Sequence, residues 1–414
     1  MTSSRTVAFF LRTLANGGAE PHLMLLGRGL MAAGFRIVLV SDGESRVPEF
    51  SFEGYSAAGF ICRRVTFPGP NLSRRQAVNR AMSSAWQVNS LVQSVHPDLI
   101  HVHYPMTSVY AQAMHLLRGI PFVSTLHLTG IPSSGYRRFL SFWGERVITP
   151  SREGRDFLIR AFGVDENRIR LVPHGTDEQY FRPPSATERL AARAKFGLAP
   201  DDKVVGMIAR MDSVKGQDVL LKSLIDLRAR GRVAIALLAG LSLGGSTEWG
   251  DKMREYAKGA GIAGQVQFLG YTDSRDVLWA SDVCVLPSRQ EGFAVAIIEA
   301  MLCGVVPIRT PAAGAAEQID DGTNGFIVPF EDSAALAERL DTLLSDPDCR
   351  SRMSAATLEK GRIEFSAKVM VDRTIGVYNE VLQRPAVLGA LAARHGEGGH
   401  PWSAEMPDRS GSCT

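Results

Sequence analysis

A chain of 414 residues is longer than one hydrophobic core usually supports, so two domains are expected. Its hydrophobic content of 45%, charged content of 21% and formal net charge of +3 describe an ordinary globular protein and argue against nucleic acid as a partner. Five cysteines without a Cys-x-x-Cys spacing, no signal peptide and no apolar run of about 18 residues indicate a cytoplasmic protein with at most peripheral membrane contact.

The N-terminal half alternates short apolar runs with helical patterns. The apolar runs predict buried strands at residues 6–11, 36–40, 98–103, 121–127 and 146–151. A helix is predicted over 21–33, with proline in its first turn and Gly34 at its C-terminal end. This alternation predicts a parallel sheet covered by helices on both faces.

The second half repeats the plan. Its strands are predicted at 203–209, 233–240, 266–270, 283–287, 305–309 and 325–329. We therefore predict an α/β protein of two Rossmann-like domains: residues 1–180, then residues 181–382 with a last helix able to cross back to the first domain. Residues 383–414 are rich in glycine, proline and serine, and predict a disordered tail. Ligands of such sheets bind beyond the carboxyl ends of the strands, which places the site in the cleft between the domains.

The segment after the strand 283–287 contains two carboxylates, Glu291 and Glu299. The apolar run from Phe293 predicts a buried helix that begins at Gly292, and the amides of a helix N-terminus suit phosphate oxygens. A carboxylate at each end could accept hydrogen bonds from ribose and sugar hydroxyls. Glu145 and Glu153 have the same spacing without the glycine or the buried helix, so we interpret that second pair as coincidence.

The stretch Glu291-Gly292-Phe293, followed by Glu299-Ala300-Met301 and Gly304, resembles the E-x7-E signature of retaining family 4 glycosyltransferases, which have the GT-B fold. The resemblance implies that Glu291 contacts hydroxyls of the donor sugar and that Glu299 binds the ribose. It also implies that the backbone from Gly292 through Phe293 to Ala294 faces the donor diphosphate.

Two cations and two glycines extend the resemblance. Arg210 and Lys215 follow the strand 203–209, match the family's R…KG element and could neutralise a departing diphosphate. Gly17 and Gly18 follow the first strand and match the loop that faces the donor phosphates and the acceptor. They do not form a GxGxxG fingerprint, which argues against a nicotinamide site.

Histidines supply a further candidate. His127 ends the predicted strand 121–127 and resembles the family's cleft histidine near the donor sugar, as a hydrogen-bonding or electrostatic group. His101 and His103 are predicted to point to opposite faces of their strand, which makes them poor joint metal ligands.

The loop from Thr310 through Gly314 to Glu317 resembles a donor-side loop. Ala313 stands where the family more often has a second glycine, and 174–177 reads His-Gly-Thr-Asp where Asn-Gly-Val is commoner. The Asp-x-Asp at 346–348 is interpreted as a turn, so no metal or other cofactor is expected beside the UDP-sugar.

These features predict a hexosyltransferase, N-acetylglucosaminyl transfer being one option, that uses a UDP-sugar and a small polar or glycan acceptor. Retention of the anomeric configuration is what the resemblance alone implies. An aminocyclitol or aminoglycoside of antibiotic (secondary metabolite) biosynthesis is one acceptor hypothesis. The alternatives are a cell-envelope glycan, lipid or phosphoinositol acceptor, a GT-B-like epimerase or phosphorylase, and a non-catalytic nucleotide-sugar-binding subunit. Arginine pairs at 63–64, 74–75 and 137–138 are interpreted as solvated surface.

Overall fold

The computed structural model describes residues 4–14, 19–43, 45, 47–69, 72–128, 131, 136–241 and 247–383. The predictions for Gly17 and Gly18, and for the tail from residue 384 onward, lie outside these residues.

Seven parallel strands form the N-terminal sheet, in the order β3-β2-β1-β4-β5-β6-β7. The strands are β1 (Thr6–Phe10), β2 (Arg36–Ser41), β3 (Ile61–Arg64), β4 (Leu99–His103), β5 (Phe122–Thr125), β6 (Arg146–Thr149) and β7 (Ile169–Leu171). All five predicted strands are present. The two that the pattern missed, β3 and β7, are short, partly exposed strands at the two edges, where an apolar run is not required.

Helices cover both faces of this sheet. They are α1 (Ala19–Ala32), α2 (Phe52–Ala57), α3 (Arg74–Val95), α4 (Ser108–Arg118), α5 (Tyr136–Phe139) and α6 (Arg152–Phe157). Alternate residues of β1 enter different cores: Val7 and Phe9 pack on one face, and Ala8 and Phe10 on the other.

Six parallel strands form the C-terminal sheet, in the order β10-β9-β8-β11-β12-β13. The strands are β8 (Val204–Ile208), β9 (Ile235–Ala239), β10 (Val266–Gly270), β11 (Val283–Leu286), β12 (Val306–Arg309) and β13 (Phe326–Ile327). The helices around them are α7 (Ala186–Lys195), α8 (Gln217–Ala229), α9 (Glu248–Gly259), α10 (Ser274–Ala280), α11 (Val295–Leu302), α12 (Ala315–Gln318), α13 (Ser333–Ser345) and α14 (Pro347–Phe365). All six predicted strands are present, and one large apolar core lies around them.

The last helix, α15 (Ala367–Leu382), packs against the N-terminal sheet and its helix α1. The hydroxyl of Tyr378 lies 2.6 Å from Nδ1 of His101, and Glu380 accepts hydrogen bonds from Arg146 and Arg170. The two halves are therefore joined twice, by the segment before α7 and by α15. The domain boundaries proposed from the sequence stay a prediction.

The Asp-x-Asp segment caps a helix. Asp346 is the N-cap of α14, and its side chain accepts a hydrogen bond from the amide of Cys349. Among the described helices, none combines the length and the apolar character needed to span a bilayer.

Candidate functional site

The loops after β8 and β11 meet at the point where the strand order of the C-terminal sheet reverses. The two strands are neighbours, and the chain leaves them in opposite directions across the sheet. The amide of Arg289 donates to the carbonyl of Val214 at 2.7 Å. Gly216 has φ +76°, and a Cβ there would lie 2.1 Å from the carbonyl oxygen of Pro287. Only glycine lets these loops approach so closely, at the position where such sheets bind ligands.

An ion pair joins the two loops. Nζ of Lys215 lies 2.7 Å from Oε1 of Glu291, and the two side chains are only 16% and 9% exposed. The structure thus brings together two site residues that are far apart in sequence. Nη2 of Arg210 lies 3.5 Å from Oδ2 of Asp212, and 40% of the Arg210 side chain is exposed. Arg210 therefore lies at the rim of the loop.

The helix after Glu291 begins later than predicted. Helix α11 starts at Val295, with Ala294 as its N-cap, and not at Gly292. The unpaired amides of its first turn therefore belong to the residues from Val295 onward. Phe293 is buried with its ring centroid 5.7 Å from that of His174, so this side chain packs between the halves of the molecule.

Gly292 also has a structural role, at a contact between the two halves of the chain. A Cβ at this position would lie 2.3 Å from the carbonyl oxygen of His127, at the end of the N-terminal sheet. The glycine lets the C-terminal loop lie against the N-terminal half. As a result the loop that carries Glu291 lies against the segment after β5 that carries His127.

Glu299 sits on the second turn of α11 in an apolar environment. The pKa of its carboxyl group is raised to about 7: burial is the main cause, a hydrogen bond with Ser274 lowers the pKa, and the nearby Asp273 raises it. A buried carboxyl group that titrates near neutral pH can accept hydrogen bonds from ligand hydroxyls once it ionises.

The prediction for His101 and His103 is wrong. Residues two apart in a strand share a face, and the two ring centroids are 4.0 Å apart. His101 is held by Tyr378 and by Oγ1 of Thr125, which lies 2.7 Å from its Nε2. His103 instead faces the cleft residue His127, with Nδ1 of the former 3.1 Å from Nε2 of the latter.

Two more histidines, which sequence reasoning missed, complete this group. The ring of His22, in the first turns of α1, lies 5.0 Å from that of His127 and 4.3 Å from that of His174. All of these rings are buried, and burial lowers the pKa of each imidazole, to about 3 for His101 and about 4 for His174. The available signal was topological, because His22, His103 and His127 follow the adjacent strands β1, β4 and β5.

The donor-side loop carries a second contact between the halves. The amide of Arg152 donates to Glu317 at 2.7 Å, and the amide of Gly314 donates to Glu153 at 3.4 Å. Arg309, which sequence reasoning also missed, is buried beneath this loop and donates to the carbonyl of Ala312. Thr310 donates to the carbonyl of Ser288 and so ties the loop to the end of β11. Glu153 thus has a structural role at the interface, although its spacing from Glu145 is coincidental.

Two family models match consecutive parts of the chain. The model described as Glycosyltransferase Family 4 matches residues 16–180, and the model described as Glycosyl transferases group 1 matches residues 188–360. Together they cover every strand of the two sheets except β1, and the loops that carry Lys215, Glu291 and His127.

Relatives and solved structures agree with these matches. A D-inositol 3-phosphate glycosyltransferase of Rhodococcus jostii is 30% identical over 285 residues, 64% of this chain and 62% of that protein. The enzyme of the same name from Frankia alni is 29% identical over 374 residues, covering 83% and 89%. A glycosyltransferase structure from Rickettsia africae has a TM-score of 0.79 at 19% identity, covering 92% of this chain and 100% of that one. Anabaena HepE, solved with UDP and glucose, has a TM-score of 0.76 at 21% identity, covering 91% and 99%.

Proposed function

Because the chain belongs to glycosyltransferase family 4 and has the GT-B fold, we propose that it moves a hexosyl group from a UDP-sugar to a hydroxyl of a phosphorylated cyclitol. That it is a glycosyltransferase that uses a nucleotide sugar follows from the family. The uridine nucleotide, the hexosyl group, the acceptor and a cytoplasmic location belong to the proposal.

The observation that carries the proposal is the pair Lys215–Glu291 beside His127. An ammonium group offers three donors, so Lys215 can keep its bond to Glu291 and still donate to a diphosphate oxygen. The second carboxylate oxygen of Glu291 remains for a sugar hydroxyl. The cation and the carboxylate would thus bind adjacent parts of the donor, at the switch point where ligands of this sheet are expected.

The proposed reaction retains the anomeric configuration. The bond between the anomeric carbon and the diphosphate oxygen breaks, and the acceptor oxygen bonds to the same carbon from the same face. The acceptor proton passes to the departing diphosphate, so no protein nucleophile is required. Lys215, Arg210 at the rim and the amides that open α11 would stabilise the charge that develops on the leaving group.

Metal independence is also part of the proposal. The leaving group meets cationic side chains and helix amides, which can replace a divalent cation in this role. His127 would contact the donor sugar as a neutral imidazole, because burial lowers its pKa well below the usual range. Glu299 would bind the ribose.

The relatives favour one class of acceptor. The two relatives, from Rhodococcus jostii and Frankia alni, are both D-inositol 3-phosphate glycosyltransferases. This supports a phosphorylated cyclitol as the acceptor over the aminocyclitol or aminoglycoside that the sequence suggested. A phosphoinositol acceptor is among the alternatives that the sequence leaves open, and these relatives favour it.

The proposal can be tested by mass spectrometry. The protein is first incubated with a panel of UDP- and other nucleotide-sugars to find the donor that it hydrolyses slowly. Inositol phosphates, free inositol, aminocyclitols and glycans are then offered with that donor. We expect a hexosyl adduct on an inositol phosphate, and transfer to aminocyclitols alone would contradict the acceptor assignment.

The same panel separates the rival functions. An epimerase would convert the UDP-sugar without any acceptor, and a phosphorylase would consume sugar phosphate or inorganic phosphate. A binding subunit would bind UDP and transfer to no acceptor. Retained anomeric configuration in the product, read by nuclear magnetic resonance, tests the stereochemistry, and unchanged activity in a chelator tests metal independence.

A further inference from the structure

Three buried histidines converge beside the cleft. His22 comes from α1, His103 from the end of β4, and His127 from the segment after β5. One ring nitrogen of each lies within 4.8 Å of a ring nitrogen of each of the other two. Each side chain is at least nine-tenths buried.

The spacing of these nitrogens is close to that of metal ligands. Two imidazole nitrogens bound to one tetrahedral Zn²⁺ at the usual bond length are about 3.3 Å apart. Nδ1 of His103 and Nε2 of His127 are already 3.1 Å apart. Two ligand nitrogens as far apart as 4.8 Å, the upper bound on the separations in this group, would have to move about 1.5 Å closer together to reach the spacing of zinc ligands.

Each of the three histidines has a buried ring nitrogen without a hydrogen-bond partner among the described residues. Nδ1 of His22, Nε2 of His103 and Nδ1 of His127 have no hydrogen-bond partner within the described ranges. Buried polar atoms normally have one, so these three side chains are not fully satisfied by protein groups. In His103 and His127 the unpaired atom is the other nitrogen of the ring, and the nitrogens of the 3.1 Å contact would be the metal ligands. An N–H···N bond between His103 and His127 uses one nitrogen of each and leaves these three unpaired.

The surroundings hold one of these rings in place. The ring of His101 lies 4.0 Å from that of His103 and is itself fixed by Tyr378 and Thr125. Metal coordination requires a neutral imidazole, and burial lowers the pKa of His22 and His103 in that direction. Three imidazoles suit Zn²⁺ and its transition-metal neighbours, whereas Mg²⁺ and Ca²⁺ prefer oxygen ligands.

We propose that His22, His103 and His127 form a binding site for a transition-metal ion of the Zn²⁺ class. Three protein ligands leave a coordination position for water or a substrate oxygen. This ion has no part in the proposed transfer. Its occupancy would withhold His127 from the donor sugar, so Zn²⁺ is expected to inhibit the transferase. The inhibition rests on the proposed function, whereas the binding does not.

Metal binding is tested on the full-length chain without a polyhistidine tag. The protein is treated with chelator and titrated with Zn²⁺ against a chromophoric competitor, and with Co²⁺ for its visible spectrum. We expect one equivalent of Zn²⁺ and a Co²⁺ spectrum without thiolate-to-metal charge transfer. Zn²⁺ should also raise the temperature of thermal unfolding.

Single variants assign the ligands. H22Q and H103Q should weaken Zn²⁺ binding by at least roughly 10- to 100-fold and abolish the rise in unfolding temperature. H115Q is the matched control, because His115 lies on α4 and contacts the carbonyl of Ile120, and it should bind Zn²⁺ as the wild type does. Unfolding of each variant without metal shows whether it folds, and H22Q carries the test should H103Q not fold.

Several results would overturn the proposal. One is Zn²⁺ affinity that is equal in the wild type, H22Q and H103Q. Another is a thiolate band in the Co²⁺ spectrum, which would assign the metal to cysteines. Tight Zn²⁺ binding with undiminished transfer would overturn the inhibition and the role of His127 while leaving the metal site intact. A chain that transfers to no acceptor would contradict the proposed function only, since the titration does not depend on transfer.

Discussion

The two sides of the proposed cleft carry different groups at the carboxyl ends of their strands: an ion pair on one side and imidazoles on the other. On the C-terminal side, the loops at the switch point carry a charged pair, Lys215 and Glu291, whose atoms lie 2.7 Å apart. On the N-terminal side, the ends of β4 and β5 carry neutral imidazoles, because burial lowers the pKa of His103 and His127.

The difference follows from what each side would bind. A diphosphate carries charge and gains more as it leaves, so a cation held by a carboxylate suits it. A sugar ring and an acceptor hydroxyl are neutral, and neutral rings contact them without the desolvation cost of a buried charge. The comparison therefore predicts which substitutions affect the leaving group and which affect closure of the cleft.

The largest effect is expected from the charged pair. K215M and E291Q should each lower kcat by about 10²- to 10³-fold, because each removes a group placed at the donor. Steady-state kinetics with the preferred donor provide the measurement. The double variant should lose less than the product of the two single losses, since the residues act as one unit.

Lys222 provides the matched control for this pair. It lies on α8, the helix that follows Lys215, with Nζ 3.9 Å from a carboxylate oxygen of Asp218, and about half of its side chain is exposed. K222M should keep nearly wild-type kcat. Equal losses of kcat in K222M and K215M would show that any positive charge in this region has the same effect, and that the ion pair has no specific role.

Glu299 should make UDP binding depend on pH. Its pKa is about 7 in the free protein, and ribose hydroxyls that donate to the carboxylate would lower it in the complex. Binding would then release a proton, so affinity should be greatest above pH 7 and fall as the pH drops below it. E299Q should weaken UDP binding by roughly tenfold or more and remove most of this dependence.

Calorimetric titrations with UDP on both sides of pH 7, in buffers of different ionisation enthalpy, count the released protons. E291Q serves as the control, because its carboxylate is assigned to the sugar, and it should keep the pH dependence. A wild-type affinity that is flat across this range would contradict the assignment of Glu299.

Closure of the cleft is tested at Gly292. A Cβ there would lie 2.3 Å from the carbonyl oxygen of His127, so G292A should hold the two sides apart. We expect kcat/KM to fall by about tenfold, roughly the effect of 1.4 kcal/mol, while UDP affinity changes little because UDP is assigned to the C-terminal side. G376A is the control: Gly376 lies in α15, and among the described residues no atom outside the adjoining backbone of this helix lies within 4 Å of the Cβ that alanine would add. Equal activity in G292A and wild type would show that the close approach is not required.

Most strands of the two sheets were predictable from the sequence, because buried parallel strands are continuous apolar runs. The edge strands β3 and β7 lack that signal. The start of α11 was placed three residues early because the apolar run begins at Phe293, although Phe293 packs against His174 before the helix begins. An apolar residue needs a buried environment, and a helix is only one way to provide it.

The two sides of the candidate site were also unequally predictable. Lys215 and Glu291 lie in short motifs, so a resemblance identifies them, but their contact required the fold. His22 and His103 belong to none of the motifs that carry the resemblance. The prediction that His101 and His103 point to opposite faces of β4 was wrong, and it left His103 out of the candidate site. Strand periodicity would have corrected that error, whereas the approach of α1 to β4 depends on tertiary packing.

The smallest expected effect is on stability, at the contact of α15 with the N-terminal sheet. Here the ion pairs of Glu380 with Arg146 and Arg170 lie near the hydrogen bond between Tyr378 and His101. Hydrogen bonds from Arg170 and Arg146 lower the pKa of Glu380 to about 2, against the reference value of 4.5. A depressed carboxyl pKa adds stability above the unfolded pKa, and this is lost as the pH falls toward the folded pKa. Because the Glu380 side chain is 37% exposed, screening reduces the contribution to about 1 kcal/mol.

E380Q should therefore lower the free energy of unfolding by about 1 kcal/mol at neutral pH, and the difference should vanish as the pH falls from about 4.5 toward 2. Denaturant unfolding at several pH values provides the measurement, with E359Q on the exposed face of α14 as the control. The neighbouring contact of Tyr378 with His101 is neutral at neutral pH, since burial lowers the pKa of His101 to about 3 and raises that of Tyr378. A difference between E380Q and wild type that persists at low pH would show that the glutamate acts through packing and not through its charge.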